Sequence, residues 1–281
     1  MSPSFSTRLA SSGVGRTLSI QSRRLFARQS SGLLARPLYT SNSSLLATST
    51  VASLPQHQQG FSRPFSSTTT TMAPSAEAFV EVIKNRRSYY KLGRNSPVSD
   101  SEILDLIKQI VLHTPSSFNT QSTRVVVALH EQHEKVWDIV IDSFAPLVAS
   151  GAVPEEVFRE KTKPKLESFR AAYGTILFYE DPSHHKPYAE KFPSFGHQFP
   201  VWSEHTNAMH QYLAWAGLEA LGFGANLQHY NPIVDEGLAK EFNIPSDWSL
   251  KAQLVFGSIE GPPNEKTFKP VEERLKVFGA Q

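Results

Sequence analysis

From Glu77 onward the sequence predicts a layered fold that mixes α-helices with β-strands, and three observations carry this expectation. Segments with apolar residues at helical spacing alternate with short runs of β-branched and apolar residues. Three of those runs, TRVVVALH at 123–130, GTILFYED at 174–181 and LKAQLVFGSI at 250–259, have the length and composition of strands. About 210 residues follow Met72, enough for one ordinary domain with a real core, and no internal repeat divides them.

Ala76 to Arg87 reads as a short helix with Phe79, Val82 and Ile83 on one side, closing on NRRSYY. Ser99 caps a second helix and Glu102, three residues later, completes a capping box; Ile103, Leu106, Ile107, Ile110 and Val111 mark its buried stripe. The polar loop HTPSSFNTQST leads into the first strand, and HEKVWDIVIDSFAPLV at 133–148 returns to helical spacing. Residues 155–172 are helical and highly charged, and the second strand follows at 174. HHKPYAEKFPSFGHQFPVW at 184–202 is aromatic-rich without a clean period, as a lid or pocket wall would be. Trp202 to Leu221 is a long apolar helix stopped by GFG, ANLQHYN a short strand or extended turn, and VDEGLAKEFN a helix before the third strand. From Gly261 the chain has too few apolar positions to fold alone and is expected to lie against another surface.

The leader differs in kind. The first 76 residues hold seven arginines, no lysine and no carboxylate, with a large excess of serine and threonine. That is the make-up of a mitochondrial transit peptide, so residues 1–71 are expected to direct the chain to the matrix, with cleavage near residue 65 in RPFSS. A start at Met72 would give a cytosolic form. The whole chain carries +2, so without those seven arginines the remainder carries −5. An acidic domain lacks the concentrated basic face that nucleic acid requires. No stretch approaches the roughly 18 consecutive apolar residues of a membrane span.

With no cysteine, thiolate nucleophiles, disulfides and Cys-ligated metal are excluded. GFGAN at 222–226 follows a helix, whereas a dinucleotide fingerprint must follow a strand. HEQH at 130–133 is one residue short of zincin spacing, the remaining histidines lack a carboxylate at ligand spacing, and no G-x-S-x-G elbow occurs. Two stretches stay open to more than one reading. The arginines of NRRS at 85–88 either answer the negative end of a helix dipole or, with Ser88, grip a phosphate monoester. The loop at 113–123 is either an ordinary solvated connector or a cradle for a polar ligand.

RRSYYKL at 86–92, TPSSFNTQSTRVVV about thirty residues later, LGFGANLQHYNP at 221–232 and EKTFKP at 265–270 together resemble the nitroreductase family of FMN enzymes, in the family's order. The resemblance spans residues 76–278 and is nearest to the fungal and bacterial branch that includes the yeast fatty-acid-repression-mutant proteins. It implies an α+β three-layer sandwich with a central mixed sheet, closed by a C-terminal tail swapped onto its partner in a homodimer. It implies that Arg86, Arg87 and Ser88 anchor the flavin phosphate and ribityl chain, with Lys266 closing on the phosphate. Ser116, Ser117, Asn119 and Gln121 would reach the ring and ribityl hydroxyls, partly from the neighbouring subunit, and Leu227, Gln228 and His229 would meet the ring edge. Tyr90 stands where the family has a basic residue, so Lys91 or Lys165 would have to meet the charge of the reduced ring; Phe268 replaces a second phosphate-binding arginine. Phe195, Phe199 and Trp202 would wall an open flavin face or, equally, belong to the core. The activity implied is hydride transfer from NAD(P)H to a nitroaromatic or quinone by a ping-pong route. The alternative is a flavin-binding regulatory, lipid-signalling or stress-response protein with little turnover. Either role needs no metal and no protein nucleophile, because the flavin carries the redox chemistry.

Overall fold

The structure is a computed structural model that describes residues 75–281. The expected transit peptide, its cleavage point near residue 65 and the alternative start at Met72 lie outside the described residues. Among the described residues there are five strands: β1 (Leu92–Gly93), β2 (Thr123–Leu129), β3 (Gly174–Glu180), β4 (Gly224–Gln228) and β5 (Ser249–Ile259). β5 pairs with β3, β4 and β1, and β3 pairs in turn with β2. Every ladder is antiparallel, and the parallel component expected of the sheet is confined to a single bridge between Ser88 and Ala225.

Alternation of side chains across the pleat divides the core into two layers. Ile176 and Phe178 of β3 face a cluster with Ile103 and Ile107 of α2 (Asp100–His113) and with Ala214 and Leu218 of the long helix Phe199–Ala220. Leu177 and Tyr179 face the opposite cluster, built from Val136, Trp137 and Val140 of α3 (His130–Asp142) together with Leu166 and Phe169. Leu250 and Ala252 of β5 fall in opposite clusters although they are two residues apart, because the β3–β5 register slips at Phe178/Tyr179 and skips Lys251. A bulge inserts one residue and so inverts the facing of everything beyond it. The released Lys251 pairs with Glu204 of the long helix at 2.6 Å.

Local sequence accounts for most helix boundaries. The first helix, α1 (Ala76–Asn85), is capped by Ser75, whose hydroxyl accepts from the Ala78 N–H at 3.2 Å. Ser99 and Glu102 form the expected capping box on α2. The helical run expected over 133–148 breaks at Ser143 into α3 and the short α4 (Ala145–Ala149). The charged run over 155–172 forms α5 (Glu155–Val157), one wide π turn over Phe158–Thr162 and α6 (Lys163–Arg170). Pro164 explains the wide turn: it lacks the N–H that would bond Glu160, and its ring crowds that carbonyl. The aromatic stretch forms α7 (Lys186–Lys191) and then the start of α8 (Phe199–Ala220), three residues ahead of the expected Trp202. Gly222, at φ +93°, ends α8, and α9 (Asp235–Phe242) ends on left-handed Asn243.

Expected buried positions on two helices are uncovered. Phe79 and Ile83 of α1 are 61% and 42% exposed, and Val111 of the α2 stripe is 42% exposed beside Leu112 at 71%. Among the described residues of one chain, nothing packs over them. Beyond Gly261 the chain has one short turn at Val271–Glu273, and Phe268, Leu275 and Phe278 all face outward.

His133 ties the α3 layer to the sheet. Trp137 Nε1–H donates to Thr175 Oγ1 at 2.9 Å, leaving the Thr175 hydroxyl to donate to His133 Nδ1 at 2.9 Å, while His133 Nε2–H donates to the Phe169 carbonyl at 3.1 Å. Every polar atom of the neutral ring is satisfied, and burial lowers its pKa from 6.5 to about 4. A base whose folded pKa is depressed contributes stability above its unfolded pKa, and that stability is lost as pH falls through the folded value. Urea unfolding should therefore show about 2–3 kcal/mol less stability at pH 4.5 than at pH 7 from this group, and His133→Gln should lack that part of the acid loss. An identical acid loss in the variant would remove His133 from this role.

Candidate functional site

α1 ends because Arg86 adopts extended backbone, with its N–H still closing on the Val82 carbonyl. The next residues run beside β4 as a short parallel partner: the Tyr89 N–H donates to the Ala225 carbonyl at 2.9 Å, and Asn226 Nδ2 donates to the Tyr89 carbonyl at 2.8 Å. This path carries the arginines away from the last turn of α1. Arg86, Arg87, Ser88 and Tyr90 then line a cleft of about 320 Å³, with Asn264, Glu265 and Lys266 on the other wall. The Arg86 guanidinium lies 4.5 Å over the Trp215 ring, and that of Arg87 donates to the Asn264 carbonyl. Lys266 holds its ammonium 5.1 Å from the ring of Phe268. Three cations and one carboxylate on two walls suit a phosphate monoester, which arginine grips in bidentate fashion.

Behind the arginines stands Glu219, in the last turn of α8. One carboxylate oxygen accepts from the Arg87 backbone N–H and the other from the Trp215 indole N–H, both at 2.8 Å. Burial lifts its pKa to about 7, against the opposing pull of those donors and of both guanidiniums.

The same network reaches β4. Asn226 is fully buried; besides its bond to the Tyr89 carbonyl, its side-chain oxygen accepts from Gln228 Nε2 at 2.8 Å. One amide thus pins the arginine-bearing segment to the end of β4, where Leu227 and Gln228 are half-buried and His229 is exposed. The Tyr230 N–H donates to Gln253 Oε1 at 2.8 Å and holds the turn that follows.

The polar loop is more contorted than an ordinary connector. Ser117–Asn119 make a single 3-10 turn, and Phe118, Asn119 and Gln121 all lie at positive φ, 54°, 55° and 48°. Ser116 steadies it, its hydroxyl accepting from the Gln121 N–H at 3.0 Å. Thr114 donates to the Ile110 carbonyl, while Ser122 and Thr123 both donate to the buried Glu180 at 2.6 Å, which makes those three side chains structural. Ser116 and Gln121 line a separate small cleft of about 120 Å³ with Thr123, Arg124 and His210. Ser117 and Asn119 line neither cleft. Within one chain the loop residues expected at the flavin are therefore not gathered with the arginines, because α2 and the start of α8 position the loop while α1, β4 and the last turns of α8 position the anchor.

Lys165 does not reach the arginine cleft: α6 packs on α3 in the layer across the sheet from α8, and the Lys165 ammonium sits 5.5 Å from the Phe169 ring. Lys91 is nearer, with its stem lying along Gly261 just before the cleft's second wall. Phe199 is 1% exposed and belongs to the packed interior, although Phe195 and Trp202 are only half-buried. All three surround Phe118, with ring centroids 5.3–6.2 Å away, and Tyr188 and Phe192 complete the ring. Phe118, Trp215, Glu219 and Asn226 are the residues that sequence reasoning missed. The placement of Phe118 in the middle of PSSFN was the one available signal.

The sequence model of the nitroreductase family matches residues 83–258. Nitroreductase FRM2 of Saccharomyces cerevisiae is 34% identical over 200 residues, 70% of this chain and 95% of its own. Among solved structures, nitroreductase CinD from Lactococcus lactis in complex with nicotinic acid is 41% identical, with a TM-score of 0.63 over 71% of this chain and 99% of CinD. A crystal structure of a nitroreductase from Saccharomyces cerevisiae is 32% identical, with a TM-score of 0.55 over 66% of this chain and 97% of its own. With the fold, the arginine cleft and these likenesses in agreement, the chain belongs to the nitroreductase family.

Proposed function

We propose that this oxidoreductase holds FMN by its phosphate in the Arg86–Arg87–Ser88–Lys266 cleft and uses it to reduce nitroaromatic or quinone acceptors at the expense of NAD(P)H. The cleft carries the reading, since its charge and size suit a phosphate monoester and its floor is fastened through Asn226 to the end of β4. FMN, when bound, would supply the hydride-transfer chemistry. The chain's own part is to grip, orient and shield. Arg86 and Arg87 neutralise the phosphate, and Asn226 fixes the distance between the phosphate grip and the ring-edge residues Leu227, Gln228 and His229. Phe195 and Trp202 offer aromatic surface to a flat acceptor. CinD has been solved with 4-nitrophenol and with chloramphenicol, which supports a nitroaromatic acceptor here.

A homodimer belongs to the same reading. Ser116, Ser117, Asn119 and Gln121 would meet the flavin of a second copy, which accounts for their separation from the arginines. The uncovered faces of α1 and α2, the exposed Met209, Tyr212 and Leu213 of α8 and the apolar residues of the tail support such a partner. The acid-free, arginine-rich leader supports import into the mitochondrial matrix.

Three outcomes are expected. Purified 72–281 should bind FMN with a visible flavin spectrum, and Arg86→Ala should weaken FMN binding by about 1.5–3 kcal/mol, roughly ten- to a hundredfold, in a fluorescence-quenching titration; unchanged affinity would place the phosphate elsewhere. Anaerobic NAD(P)H should bleach the bound flavin, and 4-nitrophenol or a quinone should restore its colour. A bound flavin that NAD(P)H leaves oxidised would favour the regulatory reading. N-terminal sequencing of the chain recovered from isolated mitochondria should begin near residue 66, and an intact Met1 or a start at Met72 would contradict matrix processing.

A further inference from the structure

Glu219 accepts through both oxygens, from the Arg87 N–H and the Trp215 indole N–H, which a glutamine with its single amide oxygen could do only in part. The charge is not needed by α8 itself, in whose last turn the helix dipole disfavours an anion. Its placement shows more. Trp215 and Glu219 are one helical turn apart and so share a face of α8, and between them they hold both arginines: Trp215 carries the Arg86 guanidinium at 4.5 Å, and Glu219 holds the Arg87 backbone at 2.8 Å. Glu219 in turn fixes the indole through its N–H at 2.8 Å. Glu219 is not among the residues lining the cleft.

We propose that Glu219 is a positioning residue for the anion cleft whose own charge competes with a bound phosphate for Arg86 and Arg87, so that the cleft holds phosphate more tightly when this carboxyl is neutral. The proposal rests on the reading of the cleft as the FMN phosphate site. Glu219 touches the Arg87 backbone N–H and the Trp215 indole; the charged groups around it are the guanidiniums of Arg86, stacked on that indole, and of Arg87, which donates to the Asn264 carbonyl, while Glu265 and Lys266, of opposite charge, stand on the far wall of the cleft. Burial raises the carboxyl to about 7, so its charge changes across the neutral range. Below that value Arg86 and Arg87 are left to the phosphate. Above it, part of their field is spent on Glu219. By linkage, a phosphate entering the cleft draws a proton onto Glu219.

The test uses the full chain stripped of flavin, with Glu219→Gln as the neutral isostere and urea midpoints of both proteins as the control for folding. FMN, riboflavin and inorganic phosphate are titrated at pH 6 and pH 8.5 by calorimetry. At pH 6 the parent and Glu219→Gln are expected to bind FMN within about twofold of each other, and at pH 8.5 the variant is expected to bind about tenfold more tightly. Riboflavin, which lacks the phosphate, should show no such divergence. Near pH 7 the parent should take up more protons on binding than the variant. A purely structural Glu219 would change affinity by the same factor at both pH values, and that result overturns the proposal, as would equal divergence with riboflavin. If FMN does not bind but phosphate shows the pH-dependent divergence, the flavin reading fails and the role of Glu219 stands. If neither anion responds to the variant at either pH, the role of Glu219 fails.

Discussion

The pairing of β5 is the constraint on which the rest of the molecule depends. An interior strand must satisfy backbone groups along both edges while covering a core on both faces. β5 does so by pairing with three other strands, and residues from Ala252 to Phe256 are fully buried. Its apolar run is long because neither face is free to be polar. At Gly257 a side chain would collide with the Gly93 carbonyl, 2.2 Å from where its Cβ would sit, so β1 can approach only because that position has no side chain. From this strand the order passes outward: β3 aligns β2, and β4 supports the segment that bears the arginines.

The functional region inherits its rigidity from that sequence of contacts. Arg86 and Arg87 belong to a stretch with no regular structure of its own, yet it is fastened by backbone to β4, by the Asn226 side chain to the end of the same strand, and by Glu219 to α8. Irregular backbone held at several points presents its side chains in a fixed geometry because neighbouring elements lock it. The polar loop is held differently, by its own Ser116 and by aromatic contact. The two halves of the expected cofactor site therefore rest on opposite ends of α8, through different kinds of contact.

Much of this was legible in the sequence because it follows from local rules. The capping box at Ser99 and Glu102, the three longer strands and the stop at Gly222 depend on residues within a turn or two of one another, and each appears where expected. The arginine pair, Ser88, Tyr90 and Lys266 share one cleft, as the order of motifs implied. What was not legible depends on distance through space. Nothing around residue 219 marks it as the partner of an N–H at residue 87, 132 positions away. Lys165 looked available because sequence spacing cannot say which side of a sheet a helix will cover. Val111 fits the helical stripe of α2 as well as Ile107 does, but α8 covers only part of that face, so periodicity alone could not show which of the two stays exposed.

Phe118 couples the ordering of two distant stretches of the chain. A phenylalanine at φ 54°, with Asn119 at 55° and Gln121 at 48°, is disfavoured as an isolated segment, and the hydrogen bond from the Gln121 N–H to Ser116 offsets only part of that. The compensation comes from Tyr188, Phe192, Phe195, Phe199 and Trp202, seventy and more residues further along the chain. The loop therefore cannot settle before α7 and the first turn of α8 have docked, and in the folded protein the two stretches should open and close as one cooperative unit. Local stability at Ser116 and Gln121 is set by how well a distant set of rings packs, so a change in that aromatic stretch would be felt first as disorder in the loop.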